Sequence, residues 1–359
     1  MLIFCVALTV ALVLSGCNNT SGGGTDTAAS GGSAAPVAEE GGSGGDAAAP
    51  AVDTSEKPFA GKKIIFFPGG GEGDVFSAVV YNGAEQARKD LGCDVEYVWS
   101  DWDNNKMVTQ LKEAIARKPD AICIMGHPGD DAYKQIVDEA EAQGIVITSQ
   151  NTSLPELEEA YKTAGFGYVG QELYASGELL AKEAWKRAGL ASGDKVLLWG
   201  LEAQPGRGQR TLGAHDALNE LGANVIYIEI SDAINSDPSQ GTPVITAALA
   251  KDPDIKMVIT DHGSLTSTLG TFLQAAGKQP GEIFGAGFDL SGDTSEAITA
   301  GWVGAVLDQQ QYLQGYLPIL QACLTTTYGF AGLHIDTGAA IIDKDNIEDI
   351  KPLAQAGIR

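Results

Sequence analysis

Short apolar runs and amphipathic stretches alternate along the chain from residue 59 onwards. In the first part, each continuous apolar run is followed by a segment whose apolar residues recur every three or four positions. The runs lie at 64–67, 95–98, 121–125 and 145–148, and the segments at 78–91, 106–116 and 132–143. Buried parallel strands have the first pattern and surface helices have the second. The alternation therefore predicts a parallel sheet covered by helices.

A second series of the same kind follows. Its predicted strands lie near residue 169 and at 196–199, 225–228, 257–260 and 283–288, and its predicted helices at 173–188, 210–221, 243–251 and 265–276. Two series predict two α/β lobes, each built on a doubly wound parallel sheet. The glycines between 165 and 170 suit a hinge strand that joins the lobes. Because ligands bind beyond the carboxyl ends of parallel strands, loops from both lobes are expected to surround a shared cleft.

The first 58 residues have a different composition. Residues 2–14 are almost entirely apolar, and the run is shorter than the ~20 residues of a membrane-spanning helix. It ends in Leu14-Ser15-Gly16-Cys17, which resembles the lipobox at which bacterial lipoproteins are cleaved and acylated. We therefore predict a lipoprotein signal peptide at 1–16, a lipid anchor on Cys17 and a disordered Gly/Ser/Ala tether at 17–58. This combination predicts an extracytoplasmic, membrane-anchored protein of the cell envelope.

The charge balance excludes one class of partner. The chain has 23 Lys and Arg residues against 47 Asp and Glu residues, which gives a formal net charge of -24. A charge of this sign and size repels the phosphates of nucleic acids and anionic lipid surfaces. We therefore expect no nucleic-acid partner, and we interpret the acidity as that of a soluble surface.

No arrangement of residues predicts catalysis. The histidines His127, His215, His262 and His334 show no metal-ligand spacing, and the sequence has no Gly-x-Ser-x-Gly motif. Residues 261–264, Asp-His-Gly-Ser, include the residue types of a catalytic triad, but neighbours on one short loop do not reach the required geometry. We therefore predict that the protein is not an enzyme and has no metal or cofactor.

Three cysteines lie in the part of the chain that is predicted to fold. Cys93, Cys123 and Cys323 are odd in number, and Cys123 lies within an apolar run. Both observations favour buried free thiols over a disulfide framework, although one bridge is compatible with the sequence.

A glycine-rich loop follows the first predicted strand, with glycines at 69–71 and 73, as in some phosphate-binding loops. It lacks the third glycine of the dinucleotide motif and the Gly-Lys-Ser/Thr of a P-loop, and Glu72 and Asp74 would repel a phosphate. We expect the glycines to let the backbone turn tightly under a neutral ligand. Residues 101–105 begin like a calcium loop but lack its glycine and final glutamate, so we expect them to cap the helix near Lys106.

Hydrogen-bonding side chains and an aromatic residue follow the predicted strands. The candidates are Asp74, Phe76, Gln150, Asn151, Arg210, Asp261, Asp289 and Gln309. Carboxylates, amides and guanidinium groups bond to hydroxyls, and an aromatic face packs on the C–H side of a sugar ring. The pattern therefore predicts a site for a polyol. Trp102 and Trp199 are interpreted as packing residues and are left out of the site.

Several segments together resemble a known family. They are the first predicted strand, loop and helix through Asn82-Gly83-Ala84, and then Pro119–Ile122, Gly126–Asp131, Ile145–Asn151, Gly208–Gly213, Gly287–Asp289, Asp308–Gln310 and Tyr312–Gly315. In this order, from about Lys62 to the C-terminus, they resemble the ribose- and galactose-binding group of the type I periplasmic binding proteins, which serves ABC importers. The resemblance implies two lobes joined by a multi-strand hinge. Residues 59–168 and 310–338 would form the N-terminal lobe, and residues 169–309 and 339–359 the C-terminal lobe.

The resemblance also implies a function. It implies a monomeric substrate-binding protein that binds a monosaccharide or related sugar-like ligand and delivers it to the ABC permease in the membrane. It assigns ligand contacts to the eight candidates above and to His262, which shares the strand-end position with Asp261. Gln150-Asn151 replaces an acid and an arginine of the ribose- and galactose-type members, and Ser77 replaces a second aromatic, so the sugar stays open. A nucleoside or furanose-autoinducer receptor and a sensory protein for chemotaxis or signalling are the alternatives.

Overall fold

The computed structural model of the protein describes residues 57–204, 206–338 and 340–359. The predicted signal peptide, Cys17 and the predicted tether as far as residue 56 lie outside these residues. The strands of the described part are β1 (Lys63–Phe66), β2 (Asp94–Tyr97), β3 (Ala121–Met125), β4 (Val146–Gln150), β5 (Gly167–Gly170), β6 (Lys195–Gly200), β7 (Asn224–Glu229), β8 (Ile255–Thr260), β9 (Phe284–Phe288), β10 (Ala305–Asp308), β11 (His334–Asp336) and β12 (Ala340–Ile342). Its α-helices are α1 (Val75–Leu91), α2 (Asn104–Ala116), α3 (Asp130–Glu141), α4 (Pro155–Tyr161), α5 (Leu173–Ala188), α6 (Gln209–Glu220), α7 (Asp232–Ser236), α8 (Thr242–Lys251), α9 (Gly263–Ala275), α10 (Gly292–Thr299), α11 (Gln311–Tyr328) and α12 (Ile347–Gln355).

The strands form two sheets, and each sheet is the centre of one lobe. The order in the first lobe is β2-β1-β3-β4-β5-β11, and all neighbouring strands are parallel. The order in the second lobe is β7-β6-β8-β9-β10-β12. All residues of β3 and β4 are buried, as expected for parallel strands covered by helices on both faces. The predicted fold of two doubly wound α/β lobes is confirmed.

One strand departs from the predicted parallel pattern. In the second lobe β12 runs antiparallel to β10, whereas the other neighbours are parallel. The cause is the direction in which the chain arrives. β11 is parallel to its neighbour, so its carboxyl end lies with the other strand ends that face the second lobe. The chain therefore enters the second lobe on its cleft side, and β12 runs away from the cleft, opposite to β10.

Within residues 57–359, apart from the two undescribed positions, the chain passes between the lobes three times, after β5, after β10 and after β11. The crossing segments are bonded to one another. The amide of Thr337 donates to the carbonyl of Gly170 at 2.8 Å, and the side-chain amide of Gln310 donates to the carbonyl of Thr337 at 2.5 Å. The predicted boundary at residue 168 falls inside β5, all of which lies in the first sheet, so the first crossing begins after Gly170.

Helix α11 belongs to the first lobe although it follows the last parallel strand of the second. It packs against α1 with backbones in near contact. A Cβ atom on Gly83 would lie 1.9 Å from the carbonyl oxygen of Tyr312, and a Cβ atom on Gly315 would lie 1.9 Å from that of Val80. The two glycines therefore permit the close approach of these helices.

Two local predictions are confirmed. Cys93, Cys123 and Cys323 are buried free thiols. Asp103 is the N-cap of α2, and its carboxylate accepts hydrogen bonds from the amides of Asn105 and Lys106 at 2.8 and 3.0 Å. Among the described residues no helix is long and apolar enough to cross a membrane.

Candidate functional site

The loops at the carboxyl ends of the strands enclose a cavity between the lobes. Its free space is about 560 Å³, part of it continuous with solvent. The lining residues are Asp74, Phe76, Trp102, His127, Asn151, Leu201, Gln204, Arg207, Arg210, Asn235, His262, Gly263, Ser264, Asp289 and Gln309. The structure thus brings together all the predicted ligand-binding residues except Gln150 and Asp261.

Asp74 and Phe76 reach the cavity from the start of α1. Asp74 is the N-cap of this helix, and its Oδ1 accepts from the amides of Phe76 and Ser77 at 3.1 and 3.0 Å. Both bonds use Oδ1, so Oδ2 is the oxygen available to a ligand. Ser77 is fully buried and its hydroxyl accepts from the amide of Gly70 at 2.8 Å, so it supports the glycine-rich loop. The single aromatic ring at the start of α1 is therefore that of Phe76.

A chain of hydrogen bonds runs along the cavity from one lobe to the other. His127 Nε2 bonds to Asn151 Oδ1 at 2.9 Å, and Asn151 Nδ2 donates to Gln309 Oε1 at 3.1 Å. Gln309 Nε2 then donates to Asp289 Oδ1, and Asp289 Oδ2 accepts from the amide of Gly263 at 2.8 Å. Gln309 lies on the second crossing segment, so the chain connects the first lobe to the second through the hinge.

Backbone conformation sets the direction of two members of this chain. Asn151 and Asp289 each follow a strand, and both are in the left-handed region with φ of 66° and 72°. Asn and Asp tolerate this conformation better than other residues with a Cβ atom. It turns the polypeptide sharply at the end of β4 and β9 and aims both polar side chains across the cavity.

His127 is neutral at physiological pH. Burial lowers the pKa of this histidine to about 3, and the positive charge of Arg207 acts in the same direction. Because Asn151 Oδ1 can only accept, Nε2 carries the imidazole proton. The remaining nitrogen, Nδ1, is an acceptor, and the ring adds no positive charge to the cavity.

Two arginines and one aspartate form a buried ionic cluster in the second lobe. Arg207 and Arg210 are 4% and 2% exposed and Asp261 is 3% exposed. Asp261 accepts from Arg207, from Arg210 Nη2 at 3.4 Å and from Thr211 Oγ1 at 2.9 Å. Burial alone would raise the pKa of Asp261, but the two guanidinium groups outweigh that effect and hold the pKa well below its ordinary value.

Arg210 keeps donors for a ligand. Its Nη2 bonds to the carbonyl and carboxylate of Asp261, while Nε and Nη1 have no partner among the described residues and are buried. The guanidinium lies 4.1 Å from the centre of the Phe288 ring, which supports its flat face. Both ring nitrogens of His262 are also without a hydrogen-bond partner in the described part of the chain.

Gln150 and Asp261 do not line the cavity. Gln150 is the last residue of β4 and is fully buried inside the first lobe, whereas Asn151 follows the strand in the left-handed conformation and reaches the cavity. Inside the lobe, Gln150 Nε2 donates to the carbonyl of Phe67 at 3.0 Å. The carboxylate of Asp261 is occupied by Arg207, Arg210 and Thr211. Asp261 therefore positions the arginines and is not itself part of the cavity surface.

Several residues that line the cavity were not predicted from the sequence. They are Trp102, His127, Leu201, Gln204, Arg207, Asn235, Gly263 and Ser264. His127 and Arg207 had a usable signal, since each follows a strand of the parallel sheet as the predicted residues do. Trp102, interpreted as packing, does pack against the core of the first lobe, but it also lines the cavity. Trp199 is completely buried against Phe272, as predicted.

A histidine lies between two glutamates beside the hinge. His334 on β11 bonds through Nδ1 to Glu158 of α4 at 2.9 Å and through Nε2 to Glu172 at 2.5 Å. Glu172 lies on the first crossing segment. Burial alone would lower the pKa of His334, but the two carboxylates outweigh burial and raise it above 6.5. The protonated histidine therefore holds a strand of the first lobe to a crossing segment.

Comparison with known proteins identifies the family. Residues 64–324 match the family described as periplasmic binding protein domain. This match covers most of the chain, and the protein belongs to this family, which confirms the resemblance seen in the sequence. Proteins of this family are extracytoplasmic.

The protein is similar to two sugar-binding proteins. The xylose/arabinose-binding protein XylF of Sulfolobus acidocaldarius is 29% identical over 276 residues, which are 72% of this chain and 65% of XylF. The match thus spans slightly less than two thirds of that relative. A D-apiose import binding protein of Paraburkholderia graminis is 28% identical over 239 residues, which are 67% of this chain and 73% of the relative.

Solved structures share the fold. A carbohydrate transporter from Acidothermus cellulolyticus 11B in complex with myo-inositol superimposes with a TM-score of 0.71 at 23% identity, over 83% of this chain and 99% of the other. An ABC transporter solute-binding protein from Agrobacterium vitis with bound D-fucose gives a TM-score of 0.71 at 21% identity, over 82% of this chain and 100% of the other. At these identities the likeness establishes the fold alone.

Proposed function

We propose that the protein is the substrate-binding component of an ABC importer. It binds a monosaccharide or related sugar-like ligand between its lobes and delivers that ligand to the membrane permease. The observation that carries this proposal is the cavity, where hydrogen-bonding side chains of both lobes meet two aromatic rings, Phe76 and Trp102. The names of the relatives, which bind or import pentoses and similar sugars, point to the same class of ligand.

The chemistry of the cavity suits a neutral polyol. The two positive charges of Arg207 and Arg210 are balanced by the two carboxylates of Asp261 and Asp289, and Asp289 already accepts two hydrogen bonds. A ligand therefore needs no charge of its own. Hydroxyl groups can accept from Arg210 Nε and Nη1 and donate to the remaining lone pairs of Asp289. This combination favours a sugar over a phosphorylated or carboxylated compound.

Binding would act through closure of the hinge. A ligand that contacts Phe76 in the first lobe and Arg210 in the second has more contacts when the lobes are close together, so it shifts the equilibrium towards the closed state. The permease would recognise that state and receive the ligand unchanged. We propose no catalysis, and we propose that the protein acts as a monomer held at the membrane by a lipid on Cys17.

The test is isothermal titration calorimetry with a panel of D-xylose, L-arabinose, D-ribose, D-galactose, D-fucose, myo-inositol, adenosine and uridine. At least one sugar or cyclitol is expected to bind saturably and to be recovered unchanged. Silence across the panel would refute the proposal, and binding of nucleosides alone would favour the nucleoside-receptor alternative. If the protein binds a sugar selectively but does not increase uptake of that sugar by membranes that contain the permease, the sensory alternative is favoured.

Variants of the site test its assignment. Arg210→Ala and Asp289→Ala are each expected to weaken binding by roughly 1.5 to 3 kcal/mol, the scale of hydrogen bonds that involve a charged group. Arg210→Lys keeps the charge but loses the planar fork and is expected to weaken binding as well. Glu178→Ala, on the partly exposed surface of α5, serves as the control. Unchanged affinity in both alanine variants of the site would remove the assignment.

A further inference from the structure

The large apolar side chains that are most exposed among the described residues lie together at one end of the first lobe. Tyr328, Phe330 and Leu333 are 56%, 57% and 54% exposed, and they lie at the end of α11 and in the segment that leads to β11. The centroids of the Tyr328 and Phe330 rings are 6.1 Å apart. Clustered apolar side chains on a surface mark a site of interaction, whereas scattered ones are ordinary. We refer to Tyr328, Phe330 and Leu333 as the apolar patch.

The apolar patch lies at the end of the lobe that is remote from the cavity. Helix α11 begins two positions after Gln309, which lines the cavity. The helix has 18 residues and is therefore ~27 Å long, and Tyr328 is its last residue. A ligand in the cavity consequently makes no contact with the patch, and the proposed sugar site does not explain its exposure.

The chain outside the described residues departs beside this patch. Lys57 is the first residue of the described part. Two positions later, the buried Phe59 has its ring 6.2 Å from that of Tyr328, and its amide donates to the carbonyl of Leu91, the last residue of α1, at 3.2 Å. The predicted tether leads from here back to the predicted lipid on Cys17. A flexible chain of about 40 residues spans roughly 35 Å, so a tether of that length lets this end of the lobe reach the bilayer.

Basic side chains border the apolar patch. Lys62 Nζ donates to the carbonyl of Thr326, in the last turn of α11, at 2.8 Å. Lys118 and Asp120 are the charged residues of a groove that Phe330 also lines. These three charged groups have a net positive charge, whereas the chain as a whole has a formal net charge of -24. Exposed aromatic rings with lysines beside them are characteristic of membrane–water interfaces.

We propose that the apolar patch inserts into the headgroup region of the bilayer that holds the lipid on Cys17, so that this end of the first lobe rests on the membrane and the cleft faces away from it. This inference rests on the lipid anchor of the proposed function. The tyrosine ring has an apolar body and a polar tip, which suits the boundary between headgroups and acyl chains. The acidic residues of the rest of the chain are repelled by lipid phosphates, which favours the same orientation. Delivery to the permease then requires the patch to detach, which a contact of three side chains permits.

The experiment places a tryptophan in the patch. The full chain, isolated as a lipoprotein, is reconstituted into liposomes of phosphatidylcholine and phosphatidylethanolamine, with or without bromine atoms on the acyl chains. Bromine quenches the fluorescence of a tryptophan that it contacts. Phe330→Trp is the reporter, and Leu353→Trp is the matched control, because Leu353 is 42% exposed on α12 of the second lobe. We expect brominated lipid to quench the added fluorescence of Phe330→Trp and to leave that of Leu353→Trp unchanged.

A triple variant tests the remainder of the patch. Tyr328→Ser and Leu333→Ser, introduced together into Phe330→Trp, remove two apolar side chains from the membrane contact. This loss should weaken the contact about tenfold or more, so the quenching should nearly disappear. The affinity for a panel sugar that binds to the wild type should be unchanged in all these variants, because the patch is remote from the cavity. The same titration shows that the variants are folded.

Quenching that is absent in Phe330→Trp, or equal in Phe330→Trp and Leu353→Trp, would overturn the inference. Undiminished quenching in a triple variant that still binds the sugar would do the same. If the triple variant does not bind the sugar, the comparison of Phe330→Trp with Leu353→Trp decides alone. A dimer in analytical ultracentrifugation that dissociates in the triple variant would show that a second copy covers the patch, and it would also overturn the inference.

The proposed function can fail separately. If the mass of the isolated protein shows no lipid on Cys17, the proposed anchor fails and the inference fails with it. If no panel sugar binds to the wild type, the sugar-binding proposal fails, while the two tryptophan reporters still decide the inference. If the lipid is present and the two reporters behave alike, only the inference fails.

Discussion

Replacement of Asp261 by asparagine is expected to destabilise the second lobe. Asp261 is 3% exposed, and its carboxylate faces the guanidinium groups of Arg207 and Arg210 and the hydroxyl of Thr211. The asparagine side chain would have nearly the same shape but no charge. Two buried cations would then lack their common counter-ion, and the side-chain amide would place a donor group beside other donors.

The magnitude follows from the burial of the cluster. Removal of one partner from a buried ion pair typically costs about 3–5 kcal/mol, because the charge that stays behind is uncompensated. The matched control is Glu178→Gln in the pair of Glu178 with Lys182, whose side chains are 32% and 46% exposed. Pairs of this kind on a helix surface contribute only about 0.3–0.5 kcal/mol. The two substitutions change the same chemical group but differ in the solvent around it.

The assay is urea unfolding followed by circular dichroism at several pH values. Because the pKa of Asp261 is depressed in the folded protein, its contribution is fully present above the ordinary value of 3.8 and is lost as the pH falls below it. The stability difference between wild type and Asp261→Asn should therefore be large at pH 7 and shrink below about pH 4. Equal stability at pH 7, or a difference that is unchanged at acidic pH, would refute this account of the cluster.

Two further predictions concern packing and the hinge. Gly315→Ala should lower the free energy of unfolding by about 1–3 kcal/mol, because the new Cβ atom would clash with the carbonyl of Val80 in α1. Thermal unfolding tests this prediction. The control is Gly292→Ala, whose Cβ atom would meet nothing nearer than 3.7 Å. His334→Gln should lower the free energy of unfolding below about pH 6.5, and by progressively less as the pH rises through the raised pKa of His334, because the neutral ring no longer attracts its two glutamates. The assay is urea unfolding of wild type and variant. A stability difference between them that does not fall between pH 5.5 and pH 8.5 would contradict the prediction.

The sequence predicted most of the parts of the fold that rest on burial, although it missed the fully buried strand β10. A central strand such as β3 is covered on both sides and all its residues are buried, so it is a continuous apolar run, and the helices between such strands keep an apolar stripe. The three-residue strands β11 and β12 were not predicted as strands, because they are too short to show a period and lie at the edges of the sheets. Helix α11 belongs to the first lobe through its contact with α1. The family resemblance implied this placement by assigning residues 310–338 to the N-terminal lobe, whereas such a long-range contact leaves no local pattern in the sequence.

The site was predicted as far as the end of each strand and no further. The rule that ligands bind beyond strand ends found Asn151 and Asp289, but it could not separate Asn151 from Gln150. That separation depends on where β4 ends and on the left-handed backbone at Asn151. The same rule selected Asp261, whose role is decided by Arg207, a residue 54 positions away in sequence. The sequence does not show which charged residues pair in the folded chain. A list of strand-end residues therefore contains both residues that line the cavity and residues that hold them in position.

The placement of the cavity beside the crossing segments couples ligand contact to lobe arrangement. Gln309 lies on a crossing segment and is bonded at once to Asn151 of the first lobe and Asp289 of the second. Asn151 also bonds to Gln314 of α11, whose side chain reaches Thr337 on another crossing segment at 3.1 Å. Any ligand that bonds to Asp289 therefore acts on a network that already includes two of the three connections between the lobes. A change in the angle between the lobes must rearrange this network, so ligand contacts with it bias the hinge directly and need no relay through the cores of the lobes.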